Sequence, residues 1–551
     1  MISGDRPMLS RLVLILIFIP VCALSQAKPF VSNVWVADNG DGTYKNPIIH
    51  ADYSDPDAIR VGDDFYMTAS SFNAAPGLPI LHSKDLVNWR IVNHVFREQT
   101  PRDIFAKPQH GGGVWAPAIR FHAGEFYIYY GDPDFGIYMT KAKDPAGEWS
   151  EPNLVEEAKG WIDPCPLWDD DGNAYLVHAF AGSRAGIKSI LVINKMSGDG
   201  TRLLNDGVMV FDGHGSDPTV EGPKFYKRNG YYYILAPAGG VGTGWQLALR
   251  SKNIYGPYEK KVVLEQGKTA INGPHQGALV DTPTGEWWFL HFQDKGAYGR
   301  VVHLQPAIWK DGFPVIGVDS DGDGTGEPVL RYKKPNVGKA YAIETPLDSD
   351  EFNSNTIGPQ WQWHGNPRAE WSFPFPQKGV LRMNSVQLPE GYKNLWDLPN
   401  LLLQKFPAER FSVEAKVKID SRFEGEKFGL VIMGLDYSYL SITNRGGKLY
   451  ISQVIAKDAD KGTAETETTP ILLQSNTFLM YVGCKPADGC AFQYSPDGKT
   501  SYGVGEYFKP REGRWIGAKI GMFFTRPGKF NDAGSADIDW FRFYIPKLEI
   551  Q

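Results

Sequence analysis

Three carboxylates stand beside a proline or a glycine at points where β-strands are predicted to begin. Asp55 and Asp163 directly precede a proline, and Glu221 precedes a Gly-Pro pair. Cleaving an acetal requires one carboxylic acid that protonates the leaving oxygen and one carboxylate that activates water. Repeated scaffolds that each direct one acid towards a common centre would supply both groups. The sequence therefore indicates hydrolysis of a glycosidic bond.

The acids belong to five segments that share one template: a strand, a glycine-containing turn and a second strand rich in aromatic and β-branched residues. The segments begin at Asp55, Trp115, Asp163, Glu221 and Gly273. A period of roughly 50–60 residues is typical of propeller blades, whose first strands line a central axis. The aromatic content of 13%, with 60 glycines and 39 prolines, favours short strands over helices. We predict an all-β protein in which a five-bladed β-propeller occupies residues 28–340.

The composition changes after a break near residues 332–336. Alternating strands such as 411–419, 429–433 and 536–543 follow, and the blade template is absent. This pattern predicts a β-sandwich over residues 345–551. Two domains also fit the length of 551 residues, which exceeds what one core usually holds.

The first 27 residues resemble an export signal. Two arginines precede an apolar run over 12–20, and small residues at 23–27 offer a cleavage site. The run is shorter than the roughly 20 residues of a spanning helix. We predict a signal peptide at 1–27, with an uncleaved anchor or lipidation of Cys22 as alternatives. The chain is expected in the periplasm, or else secreted or attached to the cell surface.

Charge and cysteine usage restrict the partners and the redox state. A net charge of −6 argues against nucleic acid or an anionic membrane as the main partner. Cys484 and Cys490 flank a turn-like run, so either a disulfide across a hairpin or two unpaired thiols is expected. Cys165 is predicted to be a small buried apolar residue.

Seven motifs in order resemble glycoside hydrolase family 43. The matching runs are 46–48, 54–57 with 60–64, 81–86, 114–117, 161–164, 220–223 and 299–300. The resemblance covers nearly all of the chain after residue 27, because the β-xylosidase-like branch of this family also carries a C-terminal concanavalin-like β-sandwich.

The resemblance implies a role for each carboxylate in an inverting mechanism. Asp55 corresponds to the general base that deprotonates water, and Glu221 to the general acid. Asp163 corresponds to a third carboxylate that orients the acid and raises its pKa. Inversion requires roughly 6.5–9.5 Å between base and acid, whereas a retaining mechanism requires about 5 Å.

Four further residues are candidates for substrate binding. Arg300 matches an arginine that contacts substrate hydroxyls or the carboxylates, with a surface salt bridge as the alternative. His275 matches a histidine near the axis, often beside a cation or water in this family, with a core histidine as the alternative. Trp115 is either a sugar-stacking platform or core packing. Phe72 begins a segment that walls the sugar.

The segment that Phe72 begins departs from the β-xylosidase pattern. Those enzymes carry a tryptophan near the position of Ala74, and here residues 72–77 contain none. The resulting opening favours an α-L-arabinofuranosidase, with β-D-xylosidase activity in addition. The expected substrates are hemicellulose side chains or the oligosaccharides released from them.

Metal ions are expected to be structural only. Asp350 and Asp539 match positions that hold Ca²⁺ in related sandwich domains. The run 319–327 alternates oxygen-bearing residues as a calcium loop does, but a solvated acidic turn is the alternative. No cofactor is expected for catalysis, because two carboxylates suffice.

Three rival functions remain open at this stage. A non-catalytic carbohydrate-binding protein would not need both Asp55 and Glu221. A β-xylosidase proper would share the same acids. An endo-acting arabinanase would need an open cleft, whereas a C-terminal sandwich beside the site favours exo action on a terminal sugar.

Overall fold

The computed structural model describes residue 1 and residues 28–485 and 489–545. The predicted signal peptide, apart from Met1, lies outside the described residues. The described chain is almost entirely β, with a ring of five four-stranded sheets followed by two larger packed sheets. This arrangement confirms the predicted five-bladed propeller and C-terminal β-sandwich.

Each blade is a four-stranded antiparallel meander whose strands follow chain order. First strands contact one another in four of the five pairs of neighbouring blades, so they surround the axis. The blades comprise Asp57–Val61, Asp64–Thr68, Gly77–Ser83 and Trp89–Phe96; Trp115–His122, Glu125–Asp132, Gly136–Ala142 and Asn153–Glu157; Trp161–Trp168, Ala174–Phe180, Ile190–Met196 and Val208–Asp212; Lys224–Arg228, Tyr231–Ala238, Trp245–Ser251 and Glu259–Leu264; His275–Asp281, Trp287–Asp294, Arg300–Lys310 and Phe313–Ile316.

Short elements close the ring and join the blades. Strand Thr43–Lys45 pairs with Arg331–Lys333, which ties the two ends of the propeller together. Helices Arg102–Phe105 and Gly182–Ala185 and the 3₁₀ turn Gly296–Tyr298 lie in connections. In the part of the chain that the structure describes, no helix is long and apolar enough to span a membrane.

The backbone takes a positive φ at the start of every blade. The angles are 55° at Asp55, 32° at Ala116, 58° at Asp163, 59° at Gly222 and 35° at Gln276. In the second, third and fifth blades the pairing register shifts at this point, as a β-bulge requires. Such a bulge redirects a side chain, and a non-glycine residue is strained in it. The repeated backbone feature is what turns the initial residues towards the axis.

The repeat corrects one detail of the sequence interpretation. Asp55 and Asp163 occupy the positive-φ position itself, but in the fourth blade that position is Gly222, and Glu221 comes one residue earlier. A Cβ at Gly222 would lie 2.1 Å from Cγ of Gln276, so a side chain there would have to displace Gln276. The third acid therefore does not stand at the same point of the repeat as the other two.

The C-terminal domain is a sandwich of a nine-stranded and a seven-stranded sheet within the described residues. The first contains Gln362–Trp363, Val386–Gln387, Leu402–Lys405, Lys427–Met433, Tyr437–Arg445, Lys448–Ala456, Thr466–Glu467, Ile471–Leu472 and Lys519–Arg526. The second contains Ser372–Phe375, Val380–Asn384, Phe411–Asp420, Thr477–Lys485, Gly489–Ser495, Tyr502–Phe508 and Ser535–Tyr544. The 3₁₀ turns are Ala369–Trp371, Leu395–Asp397 and Ala459–Lys461.

The core of the sandwich is formed by strands in which buried and more exposed residues alternate. In strand Phe411–Asp420 every second residue from Phe411 to Ile419 is buried, as period-two patterning requires. Cys484 and Cys490 form a disulfide between paired strands, which decides between the two predicted states of these thiols.

The two domains are joined by several hydrogen bonds that involve backbone groups, and two of these places adjoin the first blade. Oδ1 of Asp52 accepts from the Arg300 N–H at 2.9 Å, and Oδ2 accepts from the Gly517 N–H of the sandwich at 2.9 Å. At the second place Ala75 forms a β-bridge with Trp363. Because Asp52 holds both domains, it couples the position of Arg300 to the sandwich.

We expect Asp52→Ala to destabilise the protein and reduce turnover. The change leaves two N–H groups without their charged acceptor, a loss of about 3 kcal/mol. Thermal unfolding and kcat measure the two effects, with Asp63→Ala, at an exposed ion pair, as the control. A variant with unchanged melting temperature and turnover would refute the coupling.

Candidate active site

Asp55 is held by three donors at the start of the first blade. Oδ2 accepts from the hydroxyls of Ser54 at 2.7 Å and Ser70 at 2.5 Å, and Oδ1 accepts from Nη1 of Arg300 at 3.2 Å. Ser70 in turn accepts from the Ala116 N–H at 2.7 Å, which links the first two blades. The three donors fix the Asp55 carboxylate beside a guanidinium, an arrangement that suits a general base.

Asp163 and Glu221 come from adjacent blades and differ in exposure. Asp163 is 3% exposed, and its Oδ2 accepts from the Gly222 N–H at 2.7 Å. The Glu221 side chain is 28% exposed. Glu221 can therefore meet a ligand from solvent, whereas Asp163 lies behind it.

The three acids share one site, because the charges of Glu221 and Asp55 act on the pKa of Asp163. Burial raises the pKa of Asp163, and the negative charges of Glu221 and then Asp55 raise it further. Two carboxylates so close in a dry environment cannot both ionise easily. The Asp163–Glu221 pair therefore retains a proton into the neutral range, as a general acid must.

His275 and Arg300 contact the predicted acid and base respectively. Nε2 of His275 lies 3.1 Å from Oε1 of Glu221, and its buried Nδ1 has no hydrogen-bond partner among the described residues. Arg300 also donates to the Ser54 hydroxyl at 2.8 Å, and its guanidinium lies 4.8 Å from the ring centre of Phe292. Both residues that the sequence singled out are thus placed at the carboxylates.

Trp115 is half-buried and directly precedes Ala116, whose N–H contacts the Ser70 hydroxyl that donates to Asp55. We call the region around Trp115 the mouth of the site. Nε1 of Trp115 donates to the Gly111 carbonyl at 2.7 Å, and the Arg184 guanidinium lies 5.7 Å from its ring centre. Trp515, from the sandwich, meets it edge-on at 6.5 Å and is 53% exposed. Sequence reasoning missed Trp515, because it stands in no motif and reaches the site only through domain packing.

Phe72 is buried rather than open to the mouth. It is 4% exposed, has a φ of 49° and forms a β-bridge with Val114, directly before Trp115. The following residues face the sandwich: Nδ2 of Asn73 donates to the His364 carbonyl at 2.5 Å. The segment that lacks the tryptophan is therefore used for domain contact.

A buried ion pair lies beneath the carboxylates in the channel. Asp57 contacts Arg120 at 2.6 Å, and Nη2 of Arg120 donates to Sγ of Cys165 at 2.8 Å. The Phe225 N–H also donates to this sulfur, at 3.2 Å. Cys165 is buried as predicted, but it acts as an acceptor as well as an apolar side chain.

The two carboxylates predicted to hold Ca²⁺ are occupied by protein donors. Asp350 accepts from the N–H groups of Phe352 and Gly358 and from Nε1 of Trp361, and Asp539 pairs with Lys416 at 2.8 Å.

The acidic turn predicted as a possible calcium loop brings three carboxylates together. Ligand atoms of Asp319, Asp321 and Asp323 all lie within 4.8 Å of one another. Two of the three residues are exposed, and their carboxylates accept from N–H groups of the same turn.

Comparison with known proteins identifies the family. Residues 44–314 match the family described as glycosyl hydrolases family 43, and residues 349–544 match the β-xylosidase C-terminal concanavalin A-like domain. A relative from Xylanibacter ruminicola, named as a provisional β-xylosidase, is 41% identical over 492 residues, covering 89% of this chain and 87% of the relative. The chain belongs to glycosyl hydrolase family 43.

Other members of family 43 differ in their named activities. A β-xylosidase of Formosa agariphila is 33% identical, covering 92% of this chain and 91% of its own. A non-reducing end α-L-arabinofuranosidase of Bacteroides ovatus is 29% identical, covering 93% and 96%. The crystal structure of a family 43 protein from Bacillus licheniformis covers 92% of this chain and 100% of its own, with TM-score 0.79 and 26% identity. The chain is a glycosidase.

The raised pKa of Asp163 predicts a pH-dependent stability. Its folded-state pKa lies above the ordinary value of 3.8, so the folded state favours the neutral form. Wild-type stability therefore falls as pH rises from about 4 through the raised pKa, and this loss is absent in Asp163→Asn, which cannot ionise.

Denaturation of both proteins between pH 4.5 and 8 tests this. The stability of Asp163→Asn relative to wild type should increase with pH, while Asp63→Asn, at an exposed position, shows no such trend. A pH-independent difference for Asp163→Asn would refute the raised pKa.

Proposed function

We propose that the enzyme is an exo-acting, inverting hydrolase that releases terminal α-L-arabinofuranosyl residues from hemicellulose-derived glycans, and β-D-xylosyl residues more slowly. The meeting of Asp55, Asp163 and Glu221 in one electrostatically coupled site carries the proposal. Their roles follow from their surroundings, namely a guanidinium beside Asp55 and a retained proton on the other pair.

In the proposed reaction, Asp55 removes a proton from water while that water attacks the anomeric carbon. Glu221 donates its proton to the departing glycosidic oxygen. Asp163, buried behind Glu221, keeps that proton on the pair until transfer, and His275 holds the Glu221 carboxyl in position. Water supplies the hydroxyl of the released sugar, so the proton and atom balance closes without a further reactant.

Exo action is supported by the residues around the mouth. Trp115 and Trp515 stand on one side from different domains, and Arg184 lies against Trp115. A pocket walled in this way suits a terminal sugar more than a continuous chain. The arabinofuranoside preference rests on the absence of a tryptophan from residues 72–77, which removes an aromatic wall even though the segment packs against the sandwich. A β-xylosidase is the second candidate, favoured by the names of the relatives from Xylanibacter and Formosa.

Export is also proposed. The arginine-flanked apolar run before residue 27 supports it, as does the Cys484–Cys490 disulfide, which forms in oxidising compartments.

Substrates whose leaving groups differ in their need for protonation distinguish the proposed acid, Glu221, from the proposed base, Asp55. Glu221→Gln should lower kcat/KM by roughly 10²–10⁴-fold for a phenyl glycoside, which needs protonation, and far less for a dinitrophenyl glycoside. Asp55→Asn should fail on both substrates, because activation of water is still required. Asp281→Asn removes a carboxylate at the far end of a first strand and serves as the control. Equal losses for Glu221→Gln on both substrates would refute its role as acid.

Substrate preference is measured with paired aryl glycosides. We expect a higher kcat/KM for the α-L-arabinofuranoside than for the β-D-xylopyranoside. The reverse order would establish the second candidate, and failure to cleave either would refute the proposed function.

A further inference from the structure

A large groove lies beside the active-site mouth, between the domains. We call it the side groove. Its propeller wall is the loop 106–110, and its sandwich walls are the segments 384–391, 396–400 and 526–533. The groove is separate from the carboxylate pocket, and none of the proposed catalytic residues lines it.

The side groove is continuous with the mouth through one short stretch of chain. His110 lines the groove, and the next residue, Gly111, accepts the hydrogen bond from Trp115. A Cβ at Gly111 would lie 2.7 Å from Trp515, so the backbone here is pressed against the mouth. Five residues span at most about 18 Å, so a ligand a few sugar units long would reach from one to the other.

The groove offers an aromatic pair that is held rigidly. The His110 ring stacks on Trp396 with centroids 3.6 Å apart and planes 10° apart. Both residues are half-buried and line the groove. Burial lowers the pKa of His110, so its imidazole is neutral and suits the C–H face of a sugar.

Two residues that line the groove have buried polar atoms without a hydrogen-bond partner among the described residues. Asn400 is 1% exposed, and while its Nδ2 donates to the Phe524 carbonyl at 3.1 Å, its Oδ1 has no partner among the described residues. Nε of Arg526 is likewise buried without a partner there. A buried acceptor and donor left open at the wall of a groove cost free energy unless a ligand or water satisfies them.

The charges of the lining nearly balance. Its ionisable residues are Lys107, Arg368, Arg526, Glu370, Glu390, Asp397 and Asp532. With three cations and four anions, the groove does not attract a polyanion such as nucleic acid. A neutral chain rich in hydroxyl groups does not need a net charge, because it binds through stacking on aromatic rings and through hydrogen bonds.

We infer that the side groove binds the main chain of a neutral branched polysaccharide while one of its terminal side residues occupies the carboxylate pocket. The inference rests on the proposed function for the identity of the cleaved residue. It adds that the enzyme recognises the polymer as well as the terminal sugar, using surfaces of both domains.

Kinetics on two substrates tests the groove separately from the chemistry. Trp396→Ala removes the aromatic backing, and Gln387→Trp fills the groove from an exposed strand position. Each should raise KM for soluble arabinoxylan about tenfold, or about 1.4 kcal/mol, and leave kcat/KM for the aryl α-L-arabinofuranoside unchanged. Trp287→Ala, which removes a partly exposed tryptophan outside the groove, is the matched control and should change neither.

Direct binding distinguishes failure of the inference from failure of the proposed function. The Glu221→Gln full chain should bind arabinoxylan, and the added Gln387→Trp change should weaken binding about tenfold. That result supports the groove even if the wild type cleaves no arabinofuranoside, which would refute the proposed function alone. Unchanged KM in both groove variants, or unchanged binding when Gln387→Trp is added to Glu221→Gln, would overturn the inference.

Discussion

The active site depends on an excess of negative charge in a dry space. Asp55, Asp163 and Glu221 share it, and the Arg300 guanidinium contacts only Asp55 among them. Because charge is costly at low dielectric, a proton remains on the Asp163–Glu221 pair, whereas Asp55 has a cation beside it. This asymmetry separates a proton acceptor from a proton donor without a metal ion or cofactor taking part in the proposed reaction. In the proposed reaction the more exposed carboxyl of the pair, that of Glu221, delivers the proton.

The propeller positions the three carboxylates through a strained backbone conformation that recurs in each blade. A positive φ at the start of each inner strand turns residues such as Asp55 and Asp163 towards the axis, at a cost that the surrounding blades sustain. Gly222 takes this conformation in the fourth blade, where the Gln276 side chain occupies the space that a Cβ would need. The acid of this blade is therefore the preceding residue, Glu221. The sandwich then completes the site from outside. Asp52 fixes it to the backbone of Arg300, and Trp515 brings an aromatic ring to the mouth.

Features encoded by local repetition were predictable from the sequence, and features created by domain packing were not. The five blades, the sandwich and the three carboxylates follow from turn chemistry, periodicity and the Asp-Pro and Glu-Gly-Pro motifs. The one-residue offset of Glu221 is also visible in sequence once the prolines are aligned. Trp515 lies about 400 residues from Trp115 and carries no motif, so only the packed domains reveal it. Asp52 likewise looks like an ordinary loop acid until Gly517 is placed beside it. The protein donors that contact Asp350 and Oδ2 of Asp539 were likewise not visible in the sequence, because only the folded sandwich places Trp361 and Lys416 beside them.

The most direct test of the division between base and acid is the configuration of the released sugar. Proton NMR should follow hydrolysis of an aryl α-L-arabinofuranoside, or of a β-D-xylopyranoside if that is the better substrate, before mutarotation scrambles the product. If Asp55 activates water while Glu221 protonates the leaving oxygen in a single displacement, the first anomer observed has the opposite configuration to the substrate. Initial appearance of the same configuration would show that a carboxylate attacks the sugar itself, and the account given for Asp55 and Glu221 would be wrong.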